Sequence, residues 1–204
     1  MSTQRYTKTA IILHWLIGAL IVFMFLLGWY MTELPKDADK VMSFDLFDLG
    51  IAQWNVAQEM SPRTFYFNLH KSLGVTILAL VLFRIYWRLS HRPPALLSSL
   101  KAWERKLAAG GHHSLYLLMV LIPVAGIIMS LYSKYGLQWF GIKLLEGLDN
   151  KDLRETFAEV HELLGTAMLV VLAVHVLGAL KHRLIDVLPY TGSVVHIIDA
   201  ALER

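Results

Sequence analysis

The stretch HELLGTAMLVVLAVHVLG, residues 161–178, is an apolar segment with a histidine toward each end. His161 and His175 are 14 residues apart. In an α-helix this interval spans about 21 Å along the axis and leaves the two side chains about 40° from alignment. One face of a single helix can therefore present two imidazoles at two different depths.

Three further segments are apolar and long enough to cross a bilayer with this one, since a span needs about 20 mainly apolar residues. The sequence predicts helices at about 10–31, 65–89, 112–133 and 157–185. Hydrophobic residues make up 56% and charged residues 17% of the 204 residues, which is typical of a lipid-embedded protein. The first run is too long for a signal peptide and lacks a cleavage site, so we expect it to remain. The predicted fold is all-α, an integral membrane four-helix bundle over residues 1–190.

The charges of the connections predict the orientation. The N-terminal tail is basic and the second connection has six basic residues against Glu104 alone, whereas the first connection has six acids and three basic residues. Cytoplasmic loops carry an excess of lysine and arginine. We expect a multi-pass protein of the bacterial inner membrane with both termini in the cytoplasm, a long periplasmic connection at 32–64 and a cytoplasmic tail at 191–204.

Apolar residues of the first connection, among them Phe44, Phe47 and Trp54, predict a short amphipathic segment on the outer surface. It could be a simple interface anchor or a functional loop. The chain has no cysteine, which excludes disulfides, iron–sulfur clusters and covalent haem attachment. The net charge of +3 is explained by topology, so we expect membrane lipid and no nucleic acid as a partner.

Four histidines lie within the predicted spans: His14, His70, His161 and His175. Ionisable groups inside a membrane are costly and are functional candidates by default. With the predicted topology, His14 and His175 lie toward the cytoplasm, and His70 and His161 lie toward the outer surface. An interhelical hydrogen bond explains a lone histidine but not two pairs at two depths. Two non-covalent haem b groups in the bundle interior, each with one histidine pair as iron ligands, fit this pattern.

Glycines support a flat, bulky ligand. Gly18, Gly74 and Gly165 each lie four residues after one of these histidines, and Gly178 lies three after His175. Glycine one turn from a ligand leaves room for the macrocycle. Helix packing explains any single glycine equally well, but three at the same offset favour a cofactor-binding role.

The histidines and their surroundings resemble the bacterial cytochrome b561 family. The stretches ILHWLIG, LHKSLGVTILALVLFRIYWRL, HHSLYLLMVLIPVAGIIMS and HELLG…VHVLGALKH look like its four helices in order, over nearly all of residues 5–190. The resemblance implies that His14 and His175 hold the haem nearer the cytoplasm and that His70 and His161 hold the outer haem. This agrees with the pairing by depth.

The family includes proteins described as superoxide oxidase. The resemblance therefore implies ubiquinone as a substrate and a periplasmic electron donor, either superoxide or a redox protein. It matches His182, which could act catalytically by passing protons to the quinone headgroup, and His112, with His113 as a close rival. Each of these three histidines could also be a plain interfacial residue.

Haem carboxylates need cationic partners, for which Lys71, Arg84 and Arg88 are candidates. The long first connection departs from the compact superoxide oxidase pattern and would partly cover the outer haem. Lys134 or Lys143 could still attract superoxide.

Two alternatives stay open. One is a non-catalytic haem b subunit of a hydrogenase- or dehydrogenase-type membrane complex. The other is a metal-ion transporter that uses transmembrane histidines. No dinucleotide or flavin motif occurs, so any electron source must be external.

Overall fold

The structure is a computed structural model that describes residues 7–91 and 102–181, and these residues are mostly helical. Its long helices are α1 (Lys8–Glu33), α2 (Pro62–Ser90), α3 (Ala102–Leu131) and α4 (Lys151–Lys181). All four are long and apolar enough to cross a membrane, as the sequence predicts. His182 and the predicted tail at 191–204 lie outside the described residues.

Two β-hairpins correct the all-α prediction. The first connection forms antiparallel strands β1 (Val41–Asp45) and β2 (Gln53–Met60), where the sequence predicted only a short amphipathic segment. The third connection forms β3 (Leu137–Trp139) and β4 (Ile142–Leu145). A short apolar run does not by itself distinguish strand from helix, which is why both hairpins were missed.

Contacts divide the chain into two compact units, residues 1–95 with 119–162 and residues 96–118 with 163–204. In the first unit, two clusters of buried side chains pack α1 against α2, one around Ile17 and Val81 and the other around Leu27 and Tyr66. The second unit contains the beginning of α3 and most of α4, where Lys181 forms an ion pair with Glu104. In the first unit, the hairpin side is the side on which α1 and α3 end and α2 and α4 begin.

The first hairpin is anchored on the adjoining ends of α1 and α2. Phe44 is buried, and its ring stacks on that of Phe65 with centroids 4.2 Å apart. The hydroxyl of Tyr66 donates to the carbonyl oxygen of Asp45 at 2.7 Å and accepts from the backbone N–H of Phe47 at 2.9 Å. The connection is therefore a structured cap.

The second hairpin lies along α2. The indole N–H of Trp139 donates to Oγ1 of Thr76 at 3.1 Å, and the backbone N–H of Phe140 donates to Oγ of Ser72 at 2.9 Å. Irregular backbone at membrane depth is tolerated where protein groups satisfy its polar atoms. These two hydroxyls therefore allow the hairpin tip to accompany a spanning helix.

Arg63 caps the end of α1. Its Nη1 donates to three carbonyl oxygens there, those of Met31 (3.2 Å), Thr32 (3.0 Å) and Leu34 (2.7 Å). The last carbonyls of a helix need partners, and a cation is favourable at that end. We expect Arg63→Gln to lower the free energy of unfolding by roughly 1.5–3 kcal/mol, measured by denaturation in detergent micelles.

The matched control for this prediction is Lys40→Gln, at an exposed position of the same connection. It should change the free energy of unfolding by less than about 0.5 kcal/mol. Equal destabilisation by the two substitutions would show that loss of charge, rather than loss of the cap, is responsible.

Candidate functional site

His70 and His161 face each other within the first unit. His70 lies on α2 and His161 on α4, with ring centroids 6.1 Å apart and ring planes at 73°. An imidazole nitrogen binds a metal at about 2 Å, so two rings on opposite sides of one ion have centroids about 6 Å apart. The observed spacing therefore suits two ligands of a single metal ion.

The ring of His161 is oriented as a metal ligand requires. Its Nδ1 donates to the carbonyl oxygen of Ile122 on α3 at 2.9 Å. Because a carbonyl can only accept, the ring proton lies on Nδ1 and the lone pair of Nε2 is available for a metal. A hydrogen bond of this kind commonly fixes the tautomer and orientation of a metal-binding histidine.

His70 offers the second nitrogen donor of this pair. Its Nδ1 is buried and has no hydrogen-bond partner within residues 7–91 and 102–181. A buried polar atom without a partner costs roughly 1–3 kcal/mol, and such an atom in a native protein points to a bound group. The chemistry and environment of the pair therefore fit a metal-centred cofactor.

Two glycines on neighbouring helices make room for these rings. A Cβ added to Gly126 of α3 would lie 3.2 Å from Cε1 and 3.3 Å from Nδ1 of His161. One added to Gly28 of α1 would lie 3.8 Å from Cε1 of His70. A larger side chain at position 126 would therefore displace the His161 ring.

Sequence reasoning missed both of these glycines, although an interval of 14 residues could have identified them. Gly28 follows His14 by 14 residues, and Gly126 follows His112 by the same number. The two predicted ligands on α4 are separated by this interval as well. It therefore relates positions at the two depths on three helices.

The predicted cofactor glycines Gly18, Gly74 and Gly165 stay predictions. Among the described residues, a Cβ added at Gly18 would meet no atom within 4 Å, and one at Gly74 would meet only Cε of Met24 at 3.9 Å. Gly165 is half-buried on α4. Space beside Gly18 and Gly74 is compatible with a flat ligand.

His14 and His175 belong to different units, and their pairing stays a prediction. Nη2 of Arg84 lies 3.3 Å from Nδ1 of His14. Because a guanidinium can only donate, Nδ1 accepts here and the ring proton lies on Nε2. Metal binding through Nε2 would require the other tautomer, so the position of Arg84 controls the availability of His14. Arg88 lies in the last turn of the same helix.

His112 lies beside His175 within the second unit. Their ring centroids are 5.3 Å apart, and the ring planes make an angle of 67°. His113 is exposed, and its Nδ1 donates to the carbonyl oxygen of Ala109 in its own helix at 2.6 Å. Of the two rivals, His112 is therefore the neighbour of the predicted ligand.

The cations predicted to stand near the outer pair have local contacts. Nζ of Lys71 donates to the carbonyl oxygen of Gly136 at 3.0 Å. Nζ of Lys134 lies 4.9 Å from the ring centroid of Tyr135. Lys143 forms an exposed ion pair on β4. Lys71, which follows His70 directly, is thus tied to the second hairpin.

Comparisons with known proteins match almost the whole chain. The family model described as prokaryotic cytochrome b561 matches residues 5–189, a range that includes all four helices. Cytochrome b561 homolog 2 of Escherichia coli (strain K12) is 28% identical over 189 residues, which cover 90% of this chain and 87% of the relative. The Probable superoxide oxidase CybB of Yersinia pestis is 27% identical over 183 residues, covering 88% and 89%. Cytochrome b561 homolog 1 of Escherichia coli (strain K12) is 23% identical over 188 residues, covering 90% and 92%.

Proposed function

This chain belongs to the prokaryotic cytochrome b561 family of membrane electron-transfer proteins, and from that premise we propose that it is a dihaem b-type cytochrome of the bacterial inner membrane. It carries electrons from a periplasmic donor to ubiquinone, with both termini in the cytoplasm and the hairpin side facing the periplasm. The observation that carries the proposal is the facing pair His70 and His161, 6.1 Å apart between ring centroids.

Haem b, when bound, would supply an iron centre that changes its oxidation state by one electron. His70 and His161 would hold one haem on the hairpin side. The carbonyl of Ile122 keeps the His161 ring in place through Nδ1, and Gly126 leaves the space that the ring occupies. His14 and His175 would hold a second haem toward the cytoplasm.

Ubiquinone reduction takes up protons as well as electrons. We assign the proton-passing role to His182, because the family resemblance matches this residue at the cytoplasmic end of α4. An imidazole has an ordinary pKa close to neutrality and can deliver a proton at physiological pH. His112, beside His175, is the nearest described histidine that could assist it within the second unit.

Superoxide is the donor that we favour. A relative of similar length, 27% identical to this chain, is named as a probable superoxide oxidase, which supports this donor. The orientation proposed above places the hairpin side in the compartment from which superoxide would arrive.

A second candidate is a haem b subunit that exchanges electrons with a soluble partner protein. The first hairpin favours it, because Met42, Leu49 and Ile51 are 50%, 62% and 77% exposed there. Exposed apolar patches on a protein often mark surfaces that bind partners. Such a partner would cover the cap that the hairpin forms.

The test uses the haem-loaded full chain in liposomes that contain a ubiquinone analogue. Generating superoxide outside should reduce the haem and form quinol, and His161→Ala should abolish this reaction. A wild-type protein that superoxide does not reduce, but that a co-purified periplasmic iron–sulfur subunit does reduce, would replace the first candidate with the second.

A further inference from the structure

A cavity of about 640 Å³ opens on the hairpin side of the first unit. Six basic residues and a single acid, Asp149, are among its lining side chains; the basic residues are Lys36, Arg63, Lys71, Lys134, Lys151 and Arg154. A concave surface lined by one sign of charge concentrates ions of the opposite sign. The lining therefore favours an anion.

Most of this positive charge is not balanced by the contacts of the lining residues. Arg63 and Lys71 donate to backbone carbonyls, which carry no net charge. Glu155 pairs with Arg154 at 3.1 Å and with Lys151 at 4.0 Å. The excess charge thus comes chiefly from the end of α1, the start of α2 and the segment after α3.

A buried hydroxyl in the cavity wall points independently to a ligand. Ser130 is 1% exposed, and its Oγ has no hydrogen-bond partner among the described residues. The neighbouring Ser133 hydroxyl donates to the carbonyl oxygen of Ser130 at 2.7 Å and not to its Oγ. A buried hydroxyl without a partner is costly, and an anion in the cavity could accept its hydrogen bond.

The size of the cavity indicates an organic ligand rather than a small inorganic anion. A water molecule takes up about 30 Å³ in the liquid, and sites for small organic molecules are typically about 300–1,000 Å³. The cavity, at about 640 Å³, lies within this range. The rings of Phe67 and Tyr135 also line it and would contact an apolar or aromatic scaffold.

We propose that this cavity binds a soluble organic polyanion, a molecule with two or more carboxylate, sulfonate or phosphate groups on one scaffold. Lys36 and Lys134 would contact its charged groups, and Ser130 would donate a hydrogen bond to it. The proposal goes beyond the function proposed above, because it holds whether or not the ligand donates electrons. The carboxylates of a bound haem are the other source of the same chemistry, since Lys71 follows His70 directly.

The probe for this site is pyranine, an aromatic trisulfonate whose fluorescence anisotropy rises on binding. With the haem-loaded full chain in detergent we expect saturable binding that citrate reverses and acetate does not. Lys36→Gln and Lys134→Gln should each weaken binding about three- to tenfold, and Ser130→Ala should weaken it by a similar factor. Lys143→Gln is the matched control, because this exposed lysine pairs with Glu146 and does not line the cavity.

Three results would overturn the proposal. Absence of saturable binding would show that no site exists. An equal loss of affinity in Lys143→Gln would reduce the effect to the net charge of the surface. Binding to the haem-free chain alone would assign the cations to the haem carboxylates. Because the readout is anisotropy, failure of the proposed electron transfer would leave these results interpretable.

Discussion

Replacing His161 with alanine will lower the haem content of the purified protein from two groups per chain to one. His161 and His70 face each other at 6.1 Å between ring centroids, and a six-coordinate haem iron needs both of its axial ligands to be retained firmly. The remaining haem should keep its bis-histidine spectrum, because His14 and His175 are unchanged. The measurement is the haem-to-protein ratio by pyridine haemochrome assay.

Three further measurements distinguish loss of a ligand from misfolding. His70→Ala should give the same spectrum as His161→Ala, and added imidazole should restore the missing haem by filling the space that the ring leaves. His91→Ala should change nothing, because His91 is exposed and stacks on Trp87 at the other end of α2. If His161→Ala retains two bis-histidine haems, the assignment of this ligand is wrong.

A leucine at position 126 will remove the same haem without changing either ligand. A Cβ there already lies 3.2 Å from Cε1 of His161, closer than ordinary van der Waals contact. The rest of the leucine side chain would have to occupy the volume of the ring, and overpacking of this kind costs about 1–3 kcal/mol or more. We expect Gly126→Leu to have one haem per chain, with the spectrum of His161→Ala.

Gly110→Leu is the matched control on the same helix. A Cβ at Gly110 meets no atom of residues 7–91 and 102–181 within 4 Å, so a side chain there has space. This control should keep both haems. Two haems and an unchanged spectrum in Gly126→Leu would show that the ring of His161 can move without losing the ligand.

The four helices could be predicted because a lipid span leaves a long apolar signal, but their ends could not. α3 begins at Ala102 instead of 112, and α4 begins at Lys151 instead of 157. The added turns are polar and rich in good helix formers, so hydropathy overlooks them. Asn150 starts α4 by accepting a hydrogen bond from the backbone N–H of Leu153 at 3.1 Å.

The meeting of His70 and His161 could be predicted because helix rise is constant, so depth follows from sequence position. The residues that support these rings could not be predicted in the same way. The glycine pattern was sought on each ligand's own helix, whereas Gly28, Gly126 and the Ile122 carbonyl reach the rings from neighbouring helices. Spacing along one helix carries no information about contacts across two.

The number and ligation of haems in the full-length wild-type protein test the central claim most directly. We predict two haem b groups per polypeptide, both low-spin with two imidazole ligands by electron paramagnetic resonance of the oxidised protein. A folded, monodisperse preparation that contains no haem, or a single haem with both axial positions accounted for, would contradict the claim.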